Sequence, residues 1–123
     1  MPAEGFRGPK QLWKALRWSM RGLSAAGGHG GSFRLEVSLV LVVVPVGLGL
    51  GHGGLEKFTL MLVALLVLSA ELFNSAIEAV VDKVSPEFHE LAGRAKDMGS
   101  AAVFVLLVLV AVSWGLILLP RWL

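Results

Sequence analysis

The sequence predicts an all-α membrane protein in which three transmembrane helices follow an N-terminal amphipathic surface helix. Three observations carry this reading. Hydrophobic residues fill 55% of the 123 positions and mean hydropathy is positive, which is too apolar for a soluble chain of this size. Three apolar stretches each approach the roughly 20 residues that cross a bilayer. Ahead of the first, cations recur at helical spacing beside an apolar side. The whole chain, 1–123, reads as one domain.

The surface helix is expected over about residues 9–26. Lys10, Lys14, Arg17 and Arg21 recur at three- and four-residue steps, and Leu12, Trp13, Leu16, Met20 and Leu23 supply the apolar side. Such a helix lies in the interface, with its cations on anionic lipid headgroups. The run Gly27-Gly28-His29-Gly30-Gly31 is expected to break the helix as a hinge. A first span follows over about 33–51, with a kink expected at Pro45. His52-Gly53-Gly54 reads as a turn into a second span, about 55–84, roughly 45 Å long at 1.5 Å per residue. Pro86 limits that helix, and the charged connector Ser85–Gly99 leads to an uncharged third span over about 98–120.

Basic residues of the N-terminal segment, with Lys83, Arg94 and Lys96, fall on one side of the bilayer, against Lys57 and Arg121 on the other. The positive-inside rule then places the N-terminus and the 85–97 connector in the cytoplasm. The charged positions from Glu4 through Arg34 precede any sustained apolar run, so no cleavable signal peptide is expected.

Several function classes are excluded. Cysteine is absent, which removes disulfides and thiolate metal sites. A net charge of +2, with cations gathered near membrane boundaries, gives no nucleic-acid footprint. No Gly-Lys-Ser/Thr closes a P-loop. Gly49, Gly51 and Gly54 fit a dinucleotide fingerprint in spacing, but they follow an apolar helix with no strand before them. His89-Glu90 lacks the second histidine of a zinc-protease motif.

The chemistry is concentrated in two segments. Glu71, Asn74, Glu78 and Asp82 are three and four residues apart, which places them on one helix face. Only 13 uncharged residues, Phe58 to Ala70, precede Glu71, so the second span must include it. An ionisable group at membrane depth marks a functional site by default. Seven positions put Glu71 and Glu78 about 10 Å apart along the axis, too far to share a proton, so they hold separate roles. Glu71, the deeper, suits a general base, since a carboxylate with little water around it binds a proton more readily. Glu78, nearer water, suits Mg²⁺, which accepts one or two carboxylates plus phosphate oxygens. The plain alternative for Asn74 and Ser75 is helix packing.

The second segment runs from Glu87-Phe88-His89-Glu90 to Arg94-Ala95-Lys96-Asp97, before the third span. A lysine and a carboxylate at a helix N-terminus can meet phosphate and metal together. Lys96 is the foremost phosphate contact, and Arg94 fits a snorkelling interfacial cation equally well. Together the two segments describe phosphoryl transfer at a membrane surface, where positioning and charge neutralisation supply most of the catalysis.

The pattern Glu71-x-x-Asn74-Ser75-Ala76-Ile77-Glu78-x-x-Val81-Asp82, with His89-Glu90-Leu91-x-Gly93-Arg94-Ala95-Lys96-Asp97-Met98-Gly99-Ser100-Ala101-Ala102, closely resembles the prokaryotic diacylglycerol kinase family. A looser match covers Trp18-Ser19-x-x-Gly22-Leu23-x-Ala25-Ala26 and Phe33-Arg34-x-Glu36. The resemblance implies a bacterial inner-membrane homotrimer of three-span subunits with active sites shared between neighbours. It also implies Mg²⁺-ATP-dependent conversion of diacylglycerol to phosphatidic acid by direct in-line transfer. By motif, Glu71 is the catalytic base, Asn74 positions the reacting groups and Glu78 is the metal ligand. Lys96 and Asp97 contact the nucleotide, with Glu87, Phe88, His89 and Trp18 near it. Gln11 aligns with a nucleotide-contacting arginine of the family. One position departs: the family's second metal-binding glutamate, three residues before Phe33-Arg34, is Gly30 here. A histidine at 29 is a poor Mg²⁺ ligand, and Glu36 lies on the other side of Phe33-Arg34. The readings left beside this one are an undecaprenol kinase of the same superfamily, a non-catalytic homologue impaired at the metal site, and a small ion-handling oligomer.

Overall fold

The chain is described by a computed structural model covering residues 8–29, 31–85, 87 and 89–122. Every regular element among these is helical: α1 Pro9–His29, α2 Gly31–Leu50, α3 Gly53–Val84, α4 Glu90–Leu118 and a terminal 3₁₀ turn Leu119–Arg121. Three helices, over Phe33–Leu50, Gly53–Val84 and Glu90–Arg121, are long and apolar enough to cross a membrane. Two of their hydroxyls bond the carbonyl one turn back, as an apolar setting favours: Ser38 to Arg34 at 2.9 Å and Thr59 to Leu55 at 2.8 Å.

Two boundaries differ from the sequence reading. Helix α1 continues through Gly27 and Gly28 to His29, so only Gly30, outside the described residues, separates α1 from α2. Glycine in a helix costs only about 0.5–1 kcal/mol relative to alanine, which the hydrogen-bond ladder absorbs. Helix α4 starts at Glu90, eight positions before Met98, and takes up most of the charged connector. His89 is its N-cap, with Nδ1 accepting the Leu91 N–H at 3.1 Å. Glu90 sits in the first turn, where the helix dipole favours an anion, and pairs with Arg94 one turn on at 3.4 Å. Charge in this segment builds the start of the helix, ahead of the uncharged span.

The turn between α2 and α3 is only Gly51 and His52. A β-carbon on Gly51 would lie 2.8 Å from the Lys57 backbone nitrogen, and Gly53 has φ +81°, so this reversal requires glycine twice. Helix α3 is the centre of the bundle, packing most extensively on α4, then on α2, while α1 touches α2 and α3 more lightly. Its buried residues Leu60, Val63, Ala64 and Val67 form the core with Phe33 of α2 and Val103 of α4. Gly47 lets α2 approach closely, its α-carbon facing Leu60 and the Trp114 ring. The outward surfaces stay apolar, and Leu12, Trp13 and Leu16 on α1 are 63%, 62% and 51% exposed. Such a surface is suited to lipid.

Candidate active site

The site grows out of the α3 core stripe. Leu60, Ala64 and Val67 recur at steps of four and three, and the same stripe continues through Glu71, Asn74, Glu78 and Asp82. The polar residues thus point where the core points, toward the other helices. Glu71 and Asn74 are half-buried, whereas Glu78 and Asp82 are exposed near the end of the helix.

Each polar residue meets a different neighbour. Glu71 lies within electrostatic reach of Glu36 on α2 and of Glu78. The side-chain oxygen of Asn74 is buried without a hydrogen-bond partner, directly against Gly99 of α4. Asp82 accepts from Lys96 of α4, with Nζ to Oδ1 at 2.6 Å. Lys96, Gly99 and Val103 are spaced three and four apart, so one face of α4 carries all three against α3. On the other flank, α1 and α3 enclose a groove of about 770 Å³, with Gly22, Ala25 and Ala26 on one wall and Ser75, Glu78 and Asp82 on the other. Glu78 and Asp82 therefore stand between the groove and the α3–α4 seam.

The remaining sequence candidates surround this end of the bundle less closely. Trp18 and Gln11, both half-buried, share the α1 face of Gly22 and Ala25 by helical spacing. Asp97 is exposed on α4 beside Lys96. Glu87 is exposed, and its carbonyl accepts the Ser85 hydroxyl at 3.0 Å. His89 has its Nδ1 committed to capping α4. Phe88 and Gly30 lie outside the described residues.

Three features went unread in the sequence. Glu36 lies three positions after Phe33, whose burial at 3% exposure fixes that face of α2 toward the core. The Lys96–Asp82 pair and the Asn74–Gly99 contact join residues far apart in the chain, and no local periodicity announces them.

A divalent ion at such a site takes one or two carboxylates and completes its shell with substrate phosphate and water. Exposed Glu78 on the groove wall fits that donor chemistry, with Asp82 one turn further. Among the described residues no three His, Asp or Glu side chains converge on one point.

A small membrane protein of three apolar helices, with an inward polar stripe at one end and a lysine crossing to it, is the class these features define. The chain belongs to the prokaryotic diacylglycerol kinase family, whose profile matches residues 17–118. A diacylglycerol kinase of Pseudomonas aeruginosa is 45% identical over 118 residues, covering 96% of each chain. The diacylglycerol kinase of Escherichia coli K12 is 40% identical over 116 residues, 94% of this chain and 95% of the relative. That of Haemophilus influenzae is 41% identical over 111 residues, 90% and 94% of the two.

Proposed function

We propose that this protein is an ATP-dependent lipid kinase that phosphorylates diacylglycerol to phosphatidic acid. The observation that carries the reading is the α3 stripe, apolar through Val67 and then acidic and amide-bearing, turned toward α2 and α4 in a chain of this family. Glu71 accepts the proton of the lipid's primary hydroxyl. The oxygen so freed attacks the γ-phosphorus of ATP in line, the bond to the β-phosphate oxygen breaks, and ADP leaves. Asn74 holds the reacting groups in register, which is worth several kcal/mol in a reaction dominated by positioning.

Mg²⁺ would be held by Glu78 together with the phosphates, and it supplies neutralisation of phosphate charge. Lys96 and Asp97 flank the nucleotide, with Gln11, Trp18, Glu87, Phe88 and His89 around it. Lys96 is drawn toward the site by Asp82 and shares its three N–H donors between that carboxylate and phosphate. The protein works in the bacterial inner membrane as a homotrimer, with its N-terminus and the 85–97 connector facing the cytoplasm, where ATP is available. Charge distribution supports that orientation.

The test is transfer of radiolabelled γ-phosphate from ATP into extracted lipid, with diacylglycerol and undecaprenol compared in the same mixed micelles. Label is expected in phosphatidic acid, and Glu71→Gln is expected to abolish it while leaving the oligomer unchanged by cross-linking. Label only in undecaprenyl phosphate would redirect the substrate, and none in either lipid would remove the kinase reading.

A further inference from the structure

Gly99 is the buried glycine of α4, and the space its missing side chain leaves is already taken. A β-carbon there would overlap Asn74 Oδ1, and it would lie 3.3 Å from Asn74 Cγ and 3.5 Å from Ile77 Cδ1. The same oxygen is buried and accepts no hydrogen bond. An orphaned buried acceptor costs about 1–3 kcal/mol. This one is held by the approach of α4. Its oxygen lies against Gly99, whose Cα–H is a weak donor at best. The Nδ2 end, on the other branch of the same carbon, is not among the atoms nearest that contact and has two N–H groups to give.

We infer that Gly99 is a positioning residue: lacking a side chain, it lets α4 close on the Asn74 amide, masks the acceptor end and leaves the donor end to bind an oxygen of the substrate. Asn74 then acts as a hydrogen-bond donor to a phosphoryl or lipid-hydroxyl oxygen, not as an oxygen ligand to the metal. The inference rests on the kinase reading of the site.

Two comparisons test it on the full-length protein in micelles. Gly99→Ala is expected to lower kcat by about 10–100-fold, the loss that a misplacement near 1 Å produces, with KM for ATP and lipid little changed. In an Asn74→Ala background, where the added methyl meets no amide, the same substitution is expected to cost nothing further and the melting temperature to recover. Asn74→Asp separates donor from ligand: loss of activity that excess Mg²⁺ or Mn²⁺ does not restore supports the donor role. Equal losses from Gly99→Ala with and without Asn74, or recovery of Asn74→Asp by metal, overturn the inference. Should Gly99→Ala alone fail to fold, Asn74→Ala with and without Gly99→Ala decides, equal kcat supporting the coupling and a further loss overturning it. A wild-type protein inactive on every lipid fails the kinase reading instead, which separates the two outcomes.

Discussion

Lys96 and Asp82 show how one residue pair can be close without adding much to stability. Their side chains are 43% and 64% exposed, so solvent screens the 2.6 Å contact and its effect is on where the ammonium stands. Lys96→Met is therefore expected to raise KM for ATP and lower kcat while leaving the melting temperature nearly unmoved, read by initial rates beside thermal denaturation. A fall in stability matching the loss of activity would contradict this. Gly30 is the other residue-scale question, since the resemblance read from the sequence implies a metal-binding carboxylate at that position. Gly30→Glu is expected to lower the Mg²⁺ concentration for half-maximal rate, measured by metal titration. No shift would mean that Glu78 and the phosphates already suffice, or that Glu36, within electrostatic reach of Glu71, serves in its place.

At the scale of elements, the ends of α3 and α4 are set by small local devices. Gly53 takes a left-handed backbone at φ +81°, so Gly53→Ala is expected to destabilise the protein by about 1–2 kcal/mol in denaturant titrations of the micellar form. Phosphoryl transfer at low denaturant should be unaffected, because this turn lies at the end of the bundle away from Glu71. His89 caps α4 through a side-chain acceptor. If that cap is its contribution, His89→Asn, which offers an equivalent acceptor, keeps activity, whereas His89→Ala lets the first turn carrying Glu90 fray and weakens nucleotide binding. Equal losses in both variants would assign His89 a direct contact with the nucleotide. Histidine is not among the residues that commonly mark an N-cap, so this cap is not announced by the sequence. The density of charge between Ser85 and Gly99 places the third span's start at Met98 by hydropathy, whereas the i,i+4 Glu90–Arg94 pair supports a helix eight positions earlier.

For the molecule as a whole, one arginine closes the far end. Arg121, in the terminal 3₁₀ turn, donates to the Leu50 carbonyl at 2.8 Å and pairs with Glu56, whose carboxylate also accepts the His52 N–H at 2.8 Å. The end of α2, the start of α3 and the end of α4 are thereby tied through one guanidinium, whose rigid fork of donors suits such a junction. Arg121→Ala is expected to lower the melting temperature of the solubilised protein and to leave kcat at low temperature unchanged, because the polar stripe lies at the opposite end. A change in kcat at full stability would mean that the two ends are coupled. Meanwhile the exposed apolar faces of all three spans leave the bundle dependent on lipid or on other subunits for cover, so activity is read in a membrane mimic.

Helix type, membrane residence and the single face shared by Glu71, Asn74, Glu78 and Asp82 were legible from the chain alone, because they follow from 3.6-residue periodicity and apolar length, properties of contiguous backbone. What packs against that face was decided only by tertiary structure. Gly99 against Asn74, Lys96 on Asp82, Glu36 near Glu71 and Arg121 across 71 positions to Leu50 all depend on which helices approach and how closely. That approach is set by glycines and side-chain volumes on separate elements, and no window along one helix contains both partners.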